Sequence, residues 1–115
     1  MQGSERDRAI IEHILRYCRE IEIAHEDFGH SRKRFDNSTT YQNAVCMCIL
    51  QIGELVNHLS EDFRAVHDDI PWHKIRGMRN YVAHEYGSID FDVVWFVSND
   101  SIQTLKSFCE DYLKA

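Results

Sequence analysis

The chain has 115 residues, 43% of them hydrophobic and 28% charged, which fits one globular domain spanning residues 1–115 and excludes a disordered chain. Its net charge of −6 excludes nucleic-acid binding through a broadly basic surface, so any such contact must be local. No apolar run reaches the roughly 18 residues of a membrane span, the stretch Met1–Arg8 has no apolar leader core, and a cytoplasmic protein without membrane contact is expected.

Five Gly and one Pro predict long helices and short loops. Ser4 is a candidate helix cap, with Glu5 and Asp7 suited to the first turn. Ile10, Ile14, Cys18, Ile21 and Ala24 or His25 then recur at steps of three and four, which predicts an amphipathic helix over 4–28 that Gly29 ends. Residues 30–38, with the basic triplet Arg32-Lys33-Arg34, read as a connecting loop. A second helix is expected from Thr39 to Leu59, striped by Val45, Cys48 or Ile49, Ile52, Leu55 or Val56, and Leu59. Gly53 interrupts this pattern at a cost of about 1 kcal/mol relative to Ala, and a glycine there suits the close approach of another helix. Ser60 caps a short helix over 60–67. Pro71, tolerated in a first helical turn, opens a third long helix that runs to about Tyr86, with Trp72, Ile75, Met78 or Arg79, and Val82 on its apolar side. Gly87 stops it. Asp90 caps a fourth helix to about Leu113, striped by Val94, Val97, Ser101 or Ile102, Leu105, Phe108 or Cys109, and Tyr112 or Leu113. No strand survives. The expectation is an all-α protein, an antiparallel bundle of four long helices plus a short one.

The four cysteines lie in apolar stretches and read as small buried hydrophobes. Cys46 and Cys48, two apart, point about 200° away from each other on a helix and cannot share a metal there. His25 and His30 read as solvated residues. No metal-ligand set and no cofactor are expected.

The chemistry concentrates in residues 67–84, where Lys74, Arg76 and Arg79 stand against Asp68 and Asp69 and three histidines, His67, His73 and His84, accumulate. Arg79 lies beside apolar positions, and a buried guanidinium needs a partner; Glu54, beside the facing stripe, is the candidate. One reading is therefore structural: a buried Arg79–Glu54 ion pair, His84 as an ordinary histidine near a helix C-terminus, and Tyr86 as a half-buried aromatic lid. Arg79 and His84 are five apart, about 140° around a helix and about 7.5 Å along it. Bringing them together requires a leaning Arg side chain, a distorted helix end or a second subunit.

The segments Ile52-Gly53-Glu54-Leu55, Ile70-Pro71-Trp72, Ile75-Arg76-Gly77-Met78-Arg79-Asn80, then His84, Tyr86, Asp90 and Val94-Trp95, resemble at their spacings a HepT-like member of the HEPN superfamily over nearly the whole chain. The family motif is Arg, four residues, His, one residue, Tyr; Arg79, His84 and Tyr86 match it without a gap. The resemblance implies a four- or five-helix HEPN-like bundle forming a homodimer, and a metal-independent endoribonuclease with Arg79 and His84 as catalytic residues near a cleft at the dimer interface. It further implies the toxin of a type VII-like toxin–antitoxin system, whose partner is a small MntA-type nucleotidyltransferase that transfers AMP to the motif tyrosine, here Tyr86.

These residue types suit that chemistry. RNA carries its own nucleophile, the 2′-OH, beside the scissile phosphate, so RNA and not DNA is the expected substrate. Histidine titrates near neutrality and can take or give the proton. A guanidinium stabilises the charge gathering on the phosphorus. Asn80 and Glu54 are supporting candidates, Asn80 by orienting the phosphate or His84. The competing reading is a non-catalytic helical binding subunit that partners a minimal nucleotidyltransferase. Trp72, Met78 and Tyr81 exceed what one core face needs, and that surplus also suggests a two-fold interface.

Overall fold

The computed structural model describes the backbone of residues 2–115 and the side chains from Glu5 onward. It is all helical, with no strand among the described residues. Helix α1 (Gln2–Asp27) is followed by a short α2 (Arg32–Asn37), a long α3 (Thr39–His58), a short α4 (Glu61–Val66) and α5 (Trp72–Glu85). A single 3₁₀ turn (Tyr86–Ser88) leads to α6 (Phe91–Phe96), which passes through a π-helical turn (Val97–Ser101) into α7 (Ile102–Lys114). Helix α3 packs against α1 on one side and α5 on the other, and α7 covers α1. No described helix is long and apolar enough to cross a membrane.

The predicted stripes form the core. Ile11, Ile14, Cys18 and Ile21 of α1 meet Val45, Ile49, Ile52 and Val56 of α3 and Ile102, Leu105 and Cys109 of α7. All four cysteines are buried free thiols, and burial raises their pKa values, to about 11 for Cys46 and Cys48. Three caps fall where the side chains demand: the Ser38 hydroxyl accepts from the Tyr41 N–H, Ser60 from Phe63, and the Asp90 carboxylate from Asp92. The expected cap at Ser4 lies outside the described side chains.

Four expectations need correction. Residues 30–38 are not a plain loop. Gly29 and His30 both take left-handed backbone (φ 69° and 53°) and reverse the chain, and Ser31 then caps α2. One apolar residue holds that helix: Phe35 is fully buried among the rings of Tyr41, Phe91 and Trp95. Its polar neighbours hid this anchor from any periodicity. Helix α2 is therefore a short helix additional to the expected one, α4. The fourth helix is interrupted by a π turn at Val97–Ser101, and Ser98, not Val97, takes the fully buried position.

His25 is the third correction. It is not solvated but 2% exposed, and it forms part of a polar chain through the core. Ser98 Oγ donates to the Trp95 carbonyl at 3.2 Å and lies 3.0 Å from His25 Nε2, while His25 Nδ1 hydrogen-bonds the Tyr41 hydroxyl. The consistent assignment has Tyr41 donating to Nδ1 and Nε2–H donating to Ser98, which satisfies a neutral ring completely. Burial, with His30 stacked alongside at 5.0 Å between centroids, lowers the His25 pKa to about 4. Trp72 is the fourth. It is core, 6% exposed, with its indole N–H donating to the His67 carbonyl at 2.9 Å, so it contributes no surplus surface.

Candidate functional site

A close helix contact sits beneath Arg79. A β-carbon at Gly53 would lie 2.2 Å from Arg79 Cβ, so only glycine lets α5 settle onto α3 at this level. The contact leaves Arg79 leaning along α3 toward Glu54, the residue after Gly53. Arg79 Nη2 is 3.6 Å from Glu54 Oε2, and Nη1 donates to Asn80 Oδ1 at 3.1 Å. The pair exists as expected, but it is not buried: the two side chains are 38% and 44% exposed. Arg79 thus stands at a rim, held in place with donors free for a ligand.

That rim opens on a polar cleft of about 480 Å³ between α3 and α5. Gly53, Glu54 and Asn57 form one wall; His73, Arg76, Gly77, Arg79 and Asn80 form the other. Arg76 Nη1 donates to Asn57 Oδ1 at 3.4 Å across it. Two guanidinium groups, one carboxylate and two amides in a cleft of this size suit a phosphate-bearing ligand larger than a lone anion. Among the described residues no three His, Cys, Asp or Glu side chains are grouped to hold a metal ion.

Three of the five expected site residues, Arg79, Asn80 and Glu54, therefore converge. His84 and Tyr86 do not border the cleft. Helix α5 stays α-helical through Glu85, so the 140° offset between Arg79 and His84 persists within one chain. His84 is exposed in the last turn, and among the described residues its side chain makes no hydrogen bond. Tyr86 opens the 3₁₀ turn and is 50% exposed, with partial burial holding its phenol above the ordinary pKa, so it is a neutral hydroxyl at neutral pH. The turn is tied back to α5 by the Tyr81 hydroxyl, which accepts the Asp90 N–H at 2.7 Å.

Sequence reasoning missed Asn57, His73, Arg76 and Gly77 as cleft residues. The signal was present: His73, Arg76, Gly77 and Asn80 recur at helical steps and make a polar stripe. A second concavity, apolar and of about 580 Å³, lies on the other side of His73 and Gly77, lined by Ile49, Ile52, Met78, Phe96 and Leu105 among others.

Residues 10–112 match the profile of the family described as ribonuclease HepT-like. A protein of Caldanaerobacter subterraneus subsp. tengcongensis named "Putative RNase" is 31% identical over 107 residues, covering 93% of this chain and 94% of that one. A "Probable ribonuclease HepT" of Thermococcus cleftensis is 33% identical over 104 residues, covering 90% and 86%. A Methanocaldococcus jannaschii protein, also named "Putative RNase", is 29% identical over 107 residues, covering 93% and 90%. No solved structure matches the chain.

Proposed function

Because the chain belongs to the HepT-like ribonuclease family, we propose that it is a metal-independent endoribonuclease whose catalytic groups are Arg79 and His84. In this reading the substrate 2′-OH attacks the adjacent phosphorus and expels the 5′-oxygen of the next nucleotide. The products are a 2′,3′-cyclic phosphate and a free 5′-OH, with no water consumed. His84 accepts the 2′-OH proton or supplies the proton that the 5′-oxygen needs. Arg79 neutralises the charge that builds on the non-bridging oxygens, and Asn80 fixes the Arg79 guanidinium through its amide oxygen. The observation that carries the reading is Arg79 held half-exposed by Glu54 and Asn80 at the rim of a cleft rich in phosphate-binding side chains.

His84 outside that cleft calls for a second subunit. We propose a two-fold homodimer in which a copy of the chain covers the apolar groove beside the cleft. Phe96, 59% exposed at its edge, and Met78 offer the apolar surface. The groove and the cleft share His73 and Gly77, so a partner seated in one stands next to the other.

The same reading makes the protein the toxin of a toxin–antitoxin pair. A cognate MntA-type nucleotidyltransferase silences it by AMP transfer: the Tyr86 oxygen attacks the α-phosphorus of ATP, pyrophosphate leaves and the phenolic proton is lost. Tyr86, half-exposed at the start of the 3₁₀ turn, supports an accessible acceptor. Tyr86→Phe should keep ribonuclease activity and gain no AMP in intact-mass measurements with partner and ATP.

The deciding experiment is RNA cleavage in EDTA by purified protein and by His84→Ala. Wild type should cut, His84→Ala should lose about 10²–10⁴-fold, and a strand with 2′-deoxy sugars should resist both. Cleavage that needs a divalent ion refutes the mechanism. His84 standing free of the cleft also fits the non-catalytic subunit, which would bind RNA or nucleotide and cut neither.

A further inference from the structure

We infer that the cleft holds a second backbone phosphate of the bound strand, and the nucleoside attached to it, in a subsite built from Arg76, Asn57, Gly77 and His73, one helical turn away from Arg79. The inference rests on the ribonuclease reading for its ligand class and adds where the strand runs. Arg76 and Arg79 are three residues apart on α5, about 4.5 Å along its axis and on one face, so both reach the same strand. The cleft continues from Arg79 toward Arg76 and His73 and not toward His84. A strand entering it is therefore held on the side of the scissile phosphate opposite the chain's own histidine.

The two arginines differ in what they already hold. Arg79 is engaged by a carboxylate. Among the described residues no carboxylate lies within 4.0 Å of Arg76, whose side-chain partner is the Asn57 amide oxygen at 3.4 Å. A guanidinium with an amide for a partner keeps its full charge for an anion. Displaced Asn57 then offers a donor and an acceptor to a base edge. His73, three residues before Arg76, also lines the cleft and offers a flat ring on which a base can stack.

Gly77 is the independent observation. Glycine in a helix interior is unfavourable, and at Gly53 close packing accounts for it. At Gly77 it does not, because a β-carbon there would meet no atom within 4 Å. The missing side chain leaves bare helix backbone in the cleft wall beside Arg76. Bare backbone at a binding wall is what close approach of a ligand requires.

The test measures binding of a fluorescent, uncleavable 2′-O-methyl oligoribonucleotide by anisotropy across a salt series. It is run beside EDTA cleavage kinetics and light scattering. Arg76→Gln should weaken binding about tenfold and make the log Kd against log salt slope shallower by about 0.7, the loss of one phosphate contact on a single strand. Gly77→Leu should weaken binding by a similar factor while the melting temperature does not fall. In cleavage, both should raise KM more than they lower kcat. If wild type cuts RNA but both variants keep its Kd, slope and KM, the subsite is wrong and the ribonuclease reading stands. If wild type cuts nothing while both variants lose binding, the subsite stands as an RNA grip and the ribonuclease reading falls. Wild type that does not bind the oligomer overturns the inference. So does Gly77→Leu that lowers the mass in solution while Arg76→Gln keeps the wild-type slope, since the glycine would then face a protein.

Discussion

A β-carbon at Gly53 would stand 2.2 Å from Arg79 Cβ, whereas one at Gly77 would meet nothing. The same substitution should therefore have opposite signs at the two sites. Gly53→Ala should cost about 1–3 kcal/mol by forcing α3 and α5 apart. Gly77→Ala should gain up to about 1 kcal/mol from helix propensity. Urea midpoints of the two variants check both at once. The packing role of Gly53 was legible because a glycine inside a strong apolar stripe weakens its helix unless a second helix packs closely there. The pairing of Arg79 with Glu54 was legible too, but its exposure was not, since exposure depends on how far the rim of α5 extends over α3. That exposure changes the expected cost of losing Arg79. A buried pair would cost about 3–5 kcal/mol when broken. With both partners about 40% exposed, Arg79→Ala should destabilise by no more than about 1 kcal/mol. Loss of RNA cleavage in Arg79→Ala with a nearly unchanged melting curve would then report chemistry and not folding.

The π turn at Val97–Ser101 was beyond the reach of periodicity. The stripe read from apolar residues passes through Val97, but Val94, Ser98 and Ile102, four apart, share the buried side, so a serine occupies a core position. Its reason is 73 residues away in sequence, at His25. Because periodicity admitted Ala24 or His25 equally, and both are buried, only the partners Tyr41 and Ser98 distinguish the histidine's role. The folded pKa of about 4 lies below the ordinary value of 6.5. The unfolded chain therefore binds the extra proton first as pH falls. The contribution is complete above about pH 6.5, declines through the window down to about pH 4, and amounts to as much as about 3 kcal/mol. Denaturation at pH 7.5 and pH 4.5 should show that decline, and His25→Gln should flatten it. A slope that His25→Gln leaves intact would move the effect to other groups.

At the scale of the molecule, the bundle carries −6 while its cleft gathers two arginines. Long-range repulsion and short-range attraction then oppose each other, and RNA affinity should fall steeply as salt rises. Dimerisation adds a second cleft and doubles the repulsion, so the apolar groove must supply the association. Phe96→Glu should turn a species of twice the 13.6 kDa chain mass into a single chain by light scattering at micromolar concentration. Wild type that is already monomeric would contradict the interface. The four long helical segments and their order were legible because each carries its own stripe. The apolar groove was not, since it is made by residues of α3, α5, α6, the π turn and α7 that meet only after folding.

The bolts of this bundle also set its timing. Asp7, buried at the start of α1, accepts the Ser60 backbone N–H at 2.9 Å and the Ser60 hydroxyl at 2.7 Å, fastening the head of α4 from 53 residues upstream. His25 has Tyr41, 16 residues downstream, but its second ring nitrogen is satisfied only by Ser98, 73 residues downstream. Helix α1 precedes these partners in the chain, so its two buried polar groups are fully satisfied only after segments 53 and 73 residues downstream have been made. Loop closure over such spans comes before the reward of the contact. The nascent protein therefore stays without a finished core until α7, which carries Ile102, Leu105 and Cys109, emerges.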